Sequence, residues 1–142
     1  MRVAEPYSVV IDGKVVRWVA QQLDCTFQEG AQAIGLEHEG KIVAGIVYEA
    51  WNGASVMVHM AASGRLTRKF LWANADYAFR QCGVRKMIAP VAESNVRMIR
   101  MALKMGFRRE AEITDAHPDG NLLVFTLAAQ DCRFGEDRYV KT

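Results

Sequence analysis

The 142-residue sequence lacks any apolar run approaching the roughly 18–20 residues that span a bilayer. Its first ten residues also lack the basic-then-apolar order of a signal peptide, so we expect a cytoplasmic protein. Charge of one sign is absent too, because 18 Lys and Arg stand against 16 Asp and Glu, for a net charge of +2. Nucleic-acid binding ordinarily requires a larger basic excess on one face. These absences disfavour membranes and nucleic acid as partners.

Cysteine, histidine and proline are scarce, with three residues of each. Cys25, Cys82 and Cys132 are far apart and show no CxxC spacing, which favours reduced thiols that act as small core residues. The histidines show no HExxH or related spacing, so we expect no metal site. No repeat, low-complexity stretch or linker interrupts the chain. With 51% apolar residues, a chain of this length folds as one domain without a disulfide or metal.

Apolar periodicity and turn residues predict the element order β-α-β-β-β-α-β-α-β-β, a mixed α/β domain around one sheet. Asp12 is placed to cap the first helix, and the fourth strand covers Ser55–Met60. The second helix begins near Leu66. The strand predicted at Val84–Val91 contains Pro90, which has no N–H to donate. We therefore expect this strand to be unpaired on one side near its C-terminal end.

The third helix has start and stop signals at both ends. Ser94 and Asn95 are candidate caps, and Gly106 stands where a left-handed residue ends a helix. Two further strands follow, joined by a turn at His117–Gly120. The predicted core face of this helix consists of Met98, Ile99, Ala102 and Leu103.

Four short segments resemble the GNAT superfamily of N-acetyltransferases in their order and spacing. They are Asp76–Phe79 (DYAF), Gly83–Arg85, Asn95 and Lys104–Phe107 (KMGF). The resemblance covers about residues 55–115, and the RLTRKFL segment before DYAF is similar to a branch common in phage and prophage genomes. It implies one GNAT-like domain over residues 1–142, with a CoA-binding core at about 55–107. The implied fold has a mostly antiparallel sheet, a splayed parallel pair of central strands, and helices on both faces.

The resemblance also implies an activity, in which a primary amine of a small molecule or peptide attacks the thioester of acetyl-CoA. Acetyl-CoA would bind where the strands Ser55–Met60 and Val84–Val91 splay apart. Its diphosphate would meet the N–H groups at the start of the following helix. The implied cofactor-binding residues are Val58, Met60, Ser63, Gly64, Arg65, Leu66, Thr67, Arg68 and Asn95.

The sequence departs from the family pattern in two places. The usual glycine-rich turn retains only Gly64, with Ser63 and Arg65 near the other glycine positions, so Arg65, Arg68 and Lys69 could bind phosphate directly instead. Ser63 could equally be a helix N-cap, and Asn95 could cap a helix as well as contact CoA. The second departure is Ala102, which stands where many GNAT enzymes carry a tyrosine that protonates the leaving thiolate. The proton donor is left unassigned.

Two residues are candidate catalytic groups. His59 has an ordinary pKa near 6.5 and lies late in the strand that would hold the acetyl group, so it is the first candidate for the base. A one-residue change of register would turn it away from the cleft. Glu49, at the end of the neighbouring strand, is the second candidate, although an exposed strand-end carboxylate is the simpler interpretation. Glu93 is a weaker third, and backbone N–H groups near Val58–Met60 could polarise the thioester oxygen.

Two other functions stay open at this point. The missing glycines and tyrosine also fit a GNAT-fold interaction module that binds CoA weakly or not at all and is catalytically weak or inactive. A nucleic-acid-binding domain ranks last, because the net charge is only +2. Trp72 lies among polar helix positions, so an exposed indole there would fit a homodimer contact. All three tryptophans could instead line an acceptor pocket, with core packing as the default for Trp18 and Trp51.

Overall fold

A computed structural model describes residues 7–134 and contains seven strands and three α-helices. A π-helical turn, Tyr77–Gln81, continues the second helix, and a 3₁₀ turn, Ala129–Asp131, follows the last strand. The order of the elements is the one that the sequence predicts. The strands are β1 Tyr7–Val10, β2 Gln32–His38, β3 Lys41–Glu49, β4 Ser55–Ala62, β5 Lys86–Ala92, β6 Arg108–His117 and β7 Gly120–Ala128; the helices are α1 Gly13–Leu23, α2 Arg68–Asp76 and α3 Val96–Met105.

The seven strands form one mixed sheet in the order β1-β2-β3-β4-β5-β7-β6. Only β4 and β5 are parallel, and their pairing ends at Met57 opposite Ile88. Beyond that point β5 stays paired with β7 as far as Ala92, while β4 diverges from it. Pro90 lies in the stretch that has lost its partner on the β4 side, where no N–H is needed. The expected splayed pair is therefore confirmed.

Helix α1 packs on one face of the sheet through Val15 and Val19, both fully buried. Two glycines allow this close approach. A Cβ on Gly35 would lie 2.7 Å from Val15 Cγ2, and a Cβ on Gly45 would lie 2.7 Å from Val19 Cγ2. Because such contacts are too short for real atoms, larger residues at these positions would push the helix off the sheet.

Helices α2 and α3 pack on the opposite face, so helices cover both faces as expected. Phe70 of α2 and Phe125 of β7 are among the largest fully buried side chains in this layer. The α3 caps are those that the sequence predicts: Asn95 Oδ1 accepts a hydrogen bond from the Met98 N–H, and Gly106 ends the helix with φ = +108°.

Some local expectations are wrong. Helix α2 begins at Arg68 rather than near Leu66, and its N-cap is Thr67 instead of Ser63. The reason is that the Ser63 N–H and hydroxyl both bind the Val43 carbonyl, which extends the β3–β4 ladder by one residue. Thr67 Oγ1 is then the first side chain free to accept from the Phe70 N–H.

Three side chains expected in the core lie elsewhere. Leu103 is 49% exposed, because Met105 occupies the buried face of α3. Trp51 is 59% exposed, and its indole N–H donates to the Cys82 carbonyl from the surface. Cys25 is also exposed. Among residues 7–134, no helix has the length and apolar character needed to cross a membrane.

Candidate functional site

A cavity of about 370 Å³ opens where β4 and β5 separate. Val58 and Met60 of β4 line it on the side of α2 and α3, together with residues of α3 that include Ala102. Consecutive strand residues point to opposite faces, so His59, between Val58 and Met60, lines it from the α1 side. The cavity therefore passes through the gap in the sheet and connects its two faces.

On the α1 side, the structure brings the two candidate catalytic residues together. In the β3–β4 register Val47 is opposite His59 and Glu49 is opposite Met57, so His59 and Glu49 lie on the same face. His59 Nε2 is 2.7 Å from Glu49 Oε2, and the two side chains are only 17% and 13% exposed. The Nε2–H is not well aligned with that oxygen, so the contact is a close pair rather than a linear hydrogen bond. The alternative in which His59 faces away from the cleft is wrong.

Burial sets the protonation state of His59. Desolvation lowers its pKa below the ordinary value of 6.5, while Glu49 partly opposes that shift. The imidazole is therefore neutral at pH 7. A neutral ring with its proton on Nε2, next to the carboxylate, has an unprotonated Nδ1 that can accept a proton.

The loop that follows α1 covers the His59–Glu49 pair. The Phe27 ring lies 5.0 Å from the His59 ring, centroid to centroid, and the Gln28 N–H donates to Glu49 Oε1 at 3.3 Å. Glu49 thus contacts both the imidazole and the loop. Sequence reasoning missed Phe27, because nothing in the local pattern shows that this loop folds back over β4.

On the other face, the loop between β4 and α2 presents backbone donors. The N–H groups of Gly64, Arg65 and Leu66 have no hydrogen-bond partner within the described residues. Arg97, on the first turn of α3, donates from Nη2 to the Gly64 carbonyl at 3.1 Å. Its other N–H groups are solvent-accessible because the side chain is exposed. Unpaired N–H groups before a helix N-terminus and a nearby guanidinium fit a diphosphate.

Not all of the basic residues in and after this loop face the proposed diphosphate position. The Arg68 guanidinium lies 5.9 Å from the centre of the Phe134 ring, so it is directed towards the C-terminal segment. Arg97 is not among the phosphate-binding residues that the sequence predicts. Its contact with the loop spans 33 residues, and local spacing gives no signal for it.

A family model for the acetyltransferase (GNAT) family matches residues 5–107. The chain belongs to the GNAT acetyltransferase family. No curated protein sequence matches it. Two similar solved structures are spermidine/spermine N-acetyltransferase SpeG from Vibrio cholerae with manganese ions and a dodecameric spermidine N-acetyltransferase from the same organism. The first has a TM-score of 0.70 and 9% identity over 87% of this chain and 93% of its own. The second has a TM-score of 0.68 and 9% identity over 87% and 94%. At this identity the likeness shows the fold alone.

Within this GNAT domain, Asn95 both caps α3 and lines the cavity. Glu93 does not line it; its Oε2 accepts the Asn121 N–H at 2.6 Å, which makes it a structural residue of the β5–β7 edge. No group of three or more His, Cys, Asp or Glu side chains in the described part of the chain could hold a metal ion.

A buried polar pair beside the cavity is not predicted from the sequence. Tyr48 is 3% exposed and Asn74 is 1% exposed, and both line the cavity wall. The Tyr48 hydroxyl donates to Asn74 Oδ1 at 2.6 Å. Burial raises the pKa of Tyr48 well above its usual value of 10, so the hydroxyl stays protonated at working pH. The partners are 26 residues apart, so neither predicts the other.

Proposed function

We propose that this GNAT domain transfers an acetyl group from acetyl-CoA to a primary amine of a small molecule or peptide. The observation that carries the proposal is the cavity through the sheet. The His59–Glu49 pair lines it on one face of the sheet, whereas Arg97 and the unpaired N–H groups of the β4–α2 loop lie outside its lining, beyond the end of β4. Two substrates that approach from opposite faces can meet in such a gap, which favours direct transfer between them.

The donor side is formed by the loop before α2. Gly64, Arg65 and Leu66 would hold the diphosphate through their N–H groups, and Arg97 would add a charged donor. The other residues proposed to bind the donor are Val58, Met60, Ser63, Thr67, Arg68 and Asn95. When bound, acetyl-CoA supplies an activated acetyl thioester. Strand β4 has lost its neighbour after Met57, so its edge can direct backbone N–H groups at the thioester oxygen.

The acceptor side is formed by His59 and Glu49. An alkyl amine with a pKa near 10.4 arrives mostly protonated and must lose a proton before it attacks. The neutral His59 accepts that proton, and Glu49, 2.7 Å away, stabilises the imidazolium that forms. The cavity lining contains apolar groups on this side, among them Leu23 and Phe27, which exclude water from the attacking nitrogen.

An acetyl-CoA consumption assay over a panel of primary amines tests this function. Wild-type protein should consume acetyl-CoA with at least one amine, and His59→Ala should reduce the rate by about 10²–10⁴-fold. His38→Ala is the matched control, since His38 stacks on Tyr7 away from the cavity. Calorimetry separates the alternative: no heat with millimolar acetyl-CoA would favour the interaction module. The phage-related branch, a homodimer and a cytoplasmic location stay predictions.

A further inference from the structure

The cavity needs a group that stabilises the departing sulfur. Transfer to an amine breaks the bond between carbonyl carbon and sulfur, and the sulfur leaves as a thiolate. The family's usual tyrosine position is occupied by Ala102, which lines the cavity but has no hydroxyl. Among the described residues that line this cavity, the only phenol is that of Tyr48.

Tyr48 is located at the point where the two parallel strands separate. It is opposite Val58 in the β3–β4 register, and Val58 directly follows Met57, the last β4 residue paired with β5. Tyr48 and Val58 belong to the core on the α2 and α3 face, whereas His59 lies on the other face. Tyr48 is therefore on the side of the proposed donor, opposite the proposed base.

The direction of the hydroxyl is fixed by its partner. Asn74 Nδ2 donates to the Phe70 carbonyl at 2.8 Å, so Oδ1 of the same amide must face Tyr48 as an acceptor. The Tyr48 hydroxyl is then the donor of the 2.6 Å bond. Its ring is held by an edge contact with Tyr77, at 4.8 Å between centroids. Tyr77 begins the π-helical turn after α2, a distortion that is frequent at functional sites.

Resting on the proposed function, we propose that the Tyr48 hydroxyl rotates from Asn74 towards the leaving sulfur and donates a hydrogen bond to the thiolate. Rotation about the C–O bond needs no movement of the ring. The phenol keeps its proton throughout. The neutral amine nitrogen forms the new bond to the carbonyl carbon and then loses its second proton to His59, which has by then released the first proton to water. The thiolate later takes a proton from water, so the overall reaction releases one proton. Asn74 is a positioning residue that holds the ring and hydroxyl in place between turnovers.

The acidity of bound CoA gives a test that does not depend on turnover. A thiol ordinarily has a pKa near 8.5, and a hydrogen bond to the thiolate lowers it. The thiolate of CoA bound to wild-type protein and to Tyr48→Phe is titrated by its ultraviolet absorbance. The expected pKa is about one unit lower in wild type, which is a tenfold difference in the acid dissociation constant. Tyr7→Phe is the matched control and should titrate like wild type, because Tyr7 stacks on His38 and does not line this cavity.

Kinetics with acetyl-CoA and an active amine should show kcat about tenfold lower in Tyr48→Phe, with the KM for acetyl-CoA unchanged. The single variant leaves Asn74 Oδ1 buried without a donor and can be unstable for that reason. The double variant Tyr48→Phe/Asn74→Leu removes both partners and should fold while keeping the higher thiol pKa. Equal thiol pKa values in wild type and the folded variants would overturn the role of Tyr48. If wild-type protein does not bind CoA, the proposed function fails with it.

Discussion

Replacing Glu49 with Gln tests whether the carboxylate acts on His59 by charge. The substitution keeps the size of the side chain and its acceptor for the Gln28 N–H but removes the negative charge 2.7 Å from Nε2. Unit charges 4 Å apart attract by about 4 kcal/mol at an effective dielectric constant of 20. If a third of this attraction remains after the cost of desolvation, the substitution removes about 1.4 kcal/mol of stabilisation from protonated His59. That is a tenfold change in its protonation constant.

The sign of the effect follows from the two causes that act on His59. Burial lowers its pKa and Glu49 raises it, so Glu49→Gln should lower the pKa further. The acid limb of the kcat/KM profile, where His59 becomes protonated, should move to lower pH. The plateau should fall about tenfold or more, because a weaker base removes the amine proton less effectively. Measurements from pH 5 to 9 give both quantities.

The same substitution has a consequence for stability. Because the pKa of folded His59 lies below its unfolded value of 6.5, the unfolded chain binds more protons, and stability is lost as the pH falls through 6.5. Glu49→Gln should increase this loss, seen as a larger drop in Tm between pH 7 and pH 5. An acid limb and a Tm difference identical to wild type would refute the electrostatic role of Glu49.

Three further substitutions test other parts of the structure. Gly45→Ala should lower the unfolding free energy by about 1–3 kcal/mol in urea titrations, because the new Cβ would lie 2.7 Å from Val19 Cγ2; an unchanged midpoint would contradict the close packing of α1. Arg97→Ala should raise the KM for acetyl-CoA about tenfold at constant kcat, whereas Arg100→Ala, on the same helix, should not; equal effects would indicate general charge only. Phe27→Ala should raise kcat/KM for bulky amines relative to small ones, and an unchanged ranking would remove this ring from the acceptor site.

The parts of the fold that the sequence predicts are those set by local chemistry. Pro90 has no N–H to donate, so it indicates a strand that is unpaired on one side, and this signal does not depend on distant residues. Gly106 followed by Phe107 identifies a helix end, since few other residues adopt φ = +108° without strain. Asp12 and Asn95 identify helix starts for similar reasons. Together with the apolar periodicity, these signals predict the element order and an unpaired side for the strand that contains Pro90, whereas the splayed parallel pair is implied by the GNAT resemblance.

The failures come from choices that depend on distant residues. Ser63 and Thr67 are both good N-caps, and the Val43 carbonyl, 20 residues away, binds Ser63 and leaves Thr67 as the cap. Asn74 is a poor helix former in local terms. Its position in α2 is explained by Tyr48, 26 residues earlier, whose hydroxyl donates to Asn74 Oδ1. This hydrogen bond joins the helix to the sheet. No single-sequence pattern contains such a pairing.

The alternation of side chains along β3 and β4 places the proposed donor-side and acceptor-side residues on opposite faces of the sheet. Val58 and His59 are neighbours, yet they face opposite sides of the sheet because successive Cβ atoms alternate. The β3–β4 register opposes Tyr48 to Val58 and Glu49 to Met57, so Tyr48 and Glu49 are separated in the same way. Adjacent residues of β3 thus lie on the face proposed for the leaving group and on the face proposed for the base. Deleting one residue from the β3–β4 turn would shift this register by one and place His59 and Glu49 on opposite faces of the sheet. We expect such a deletion to abolish transfer even if the fold survives.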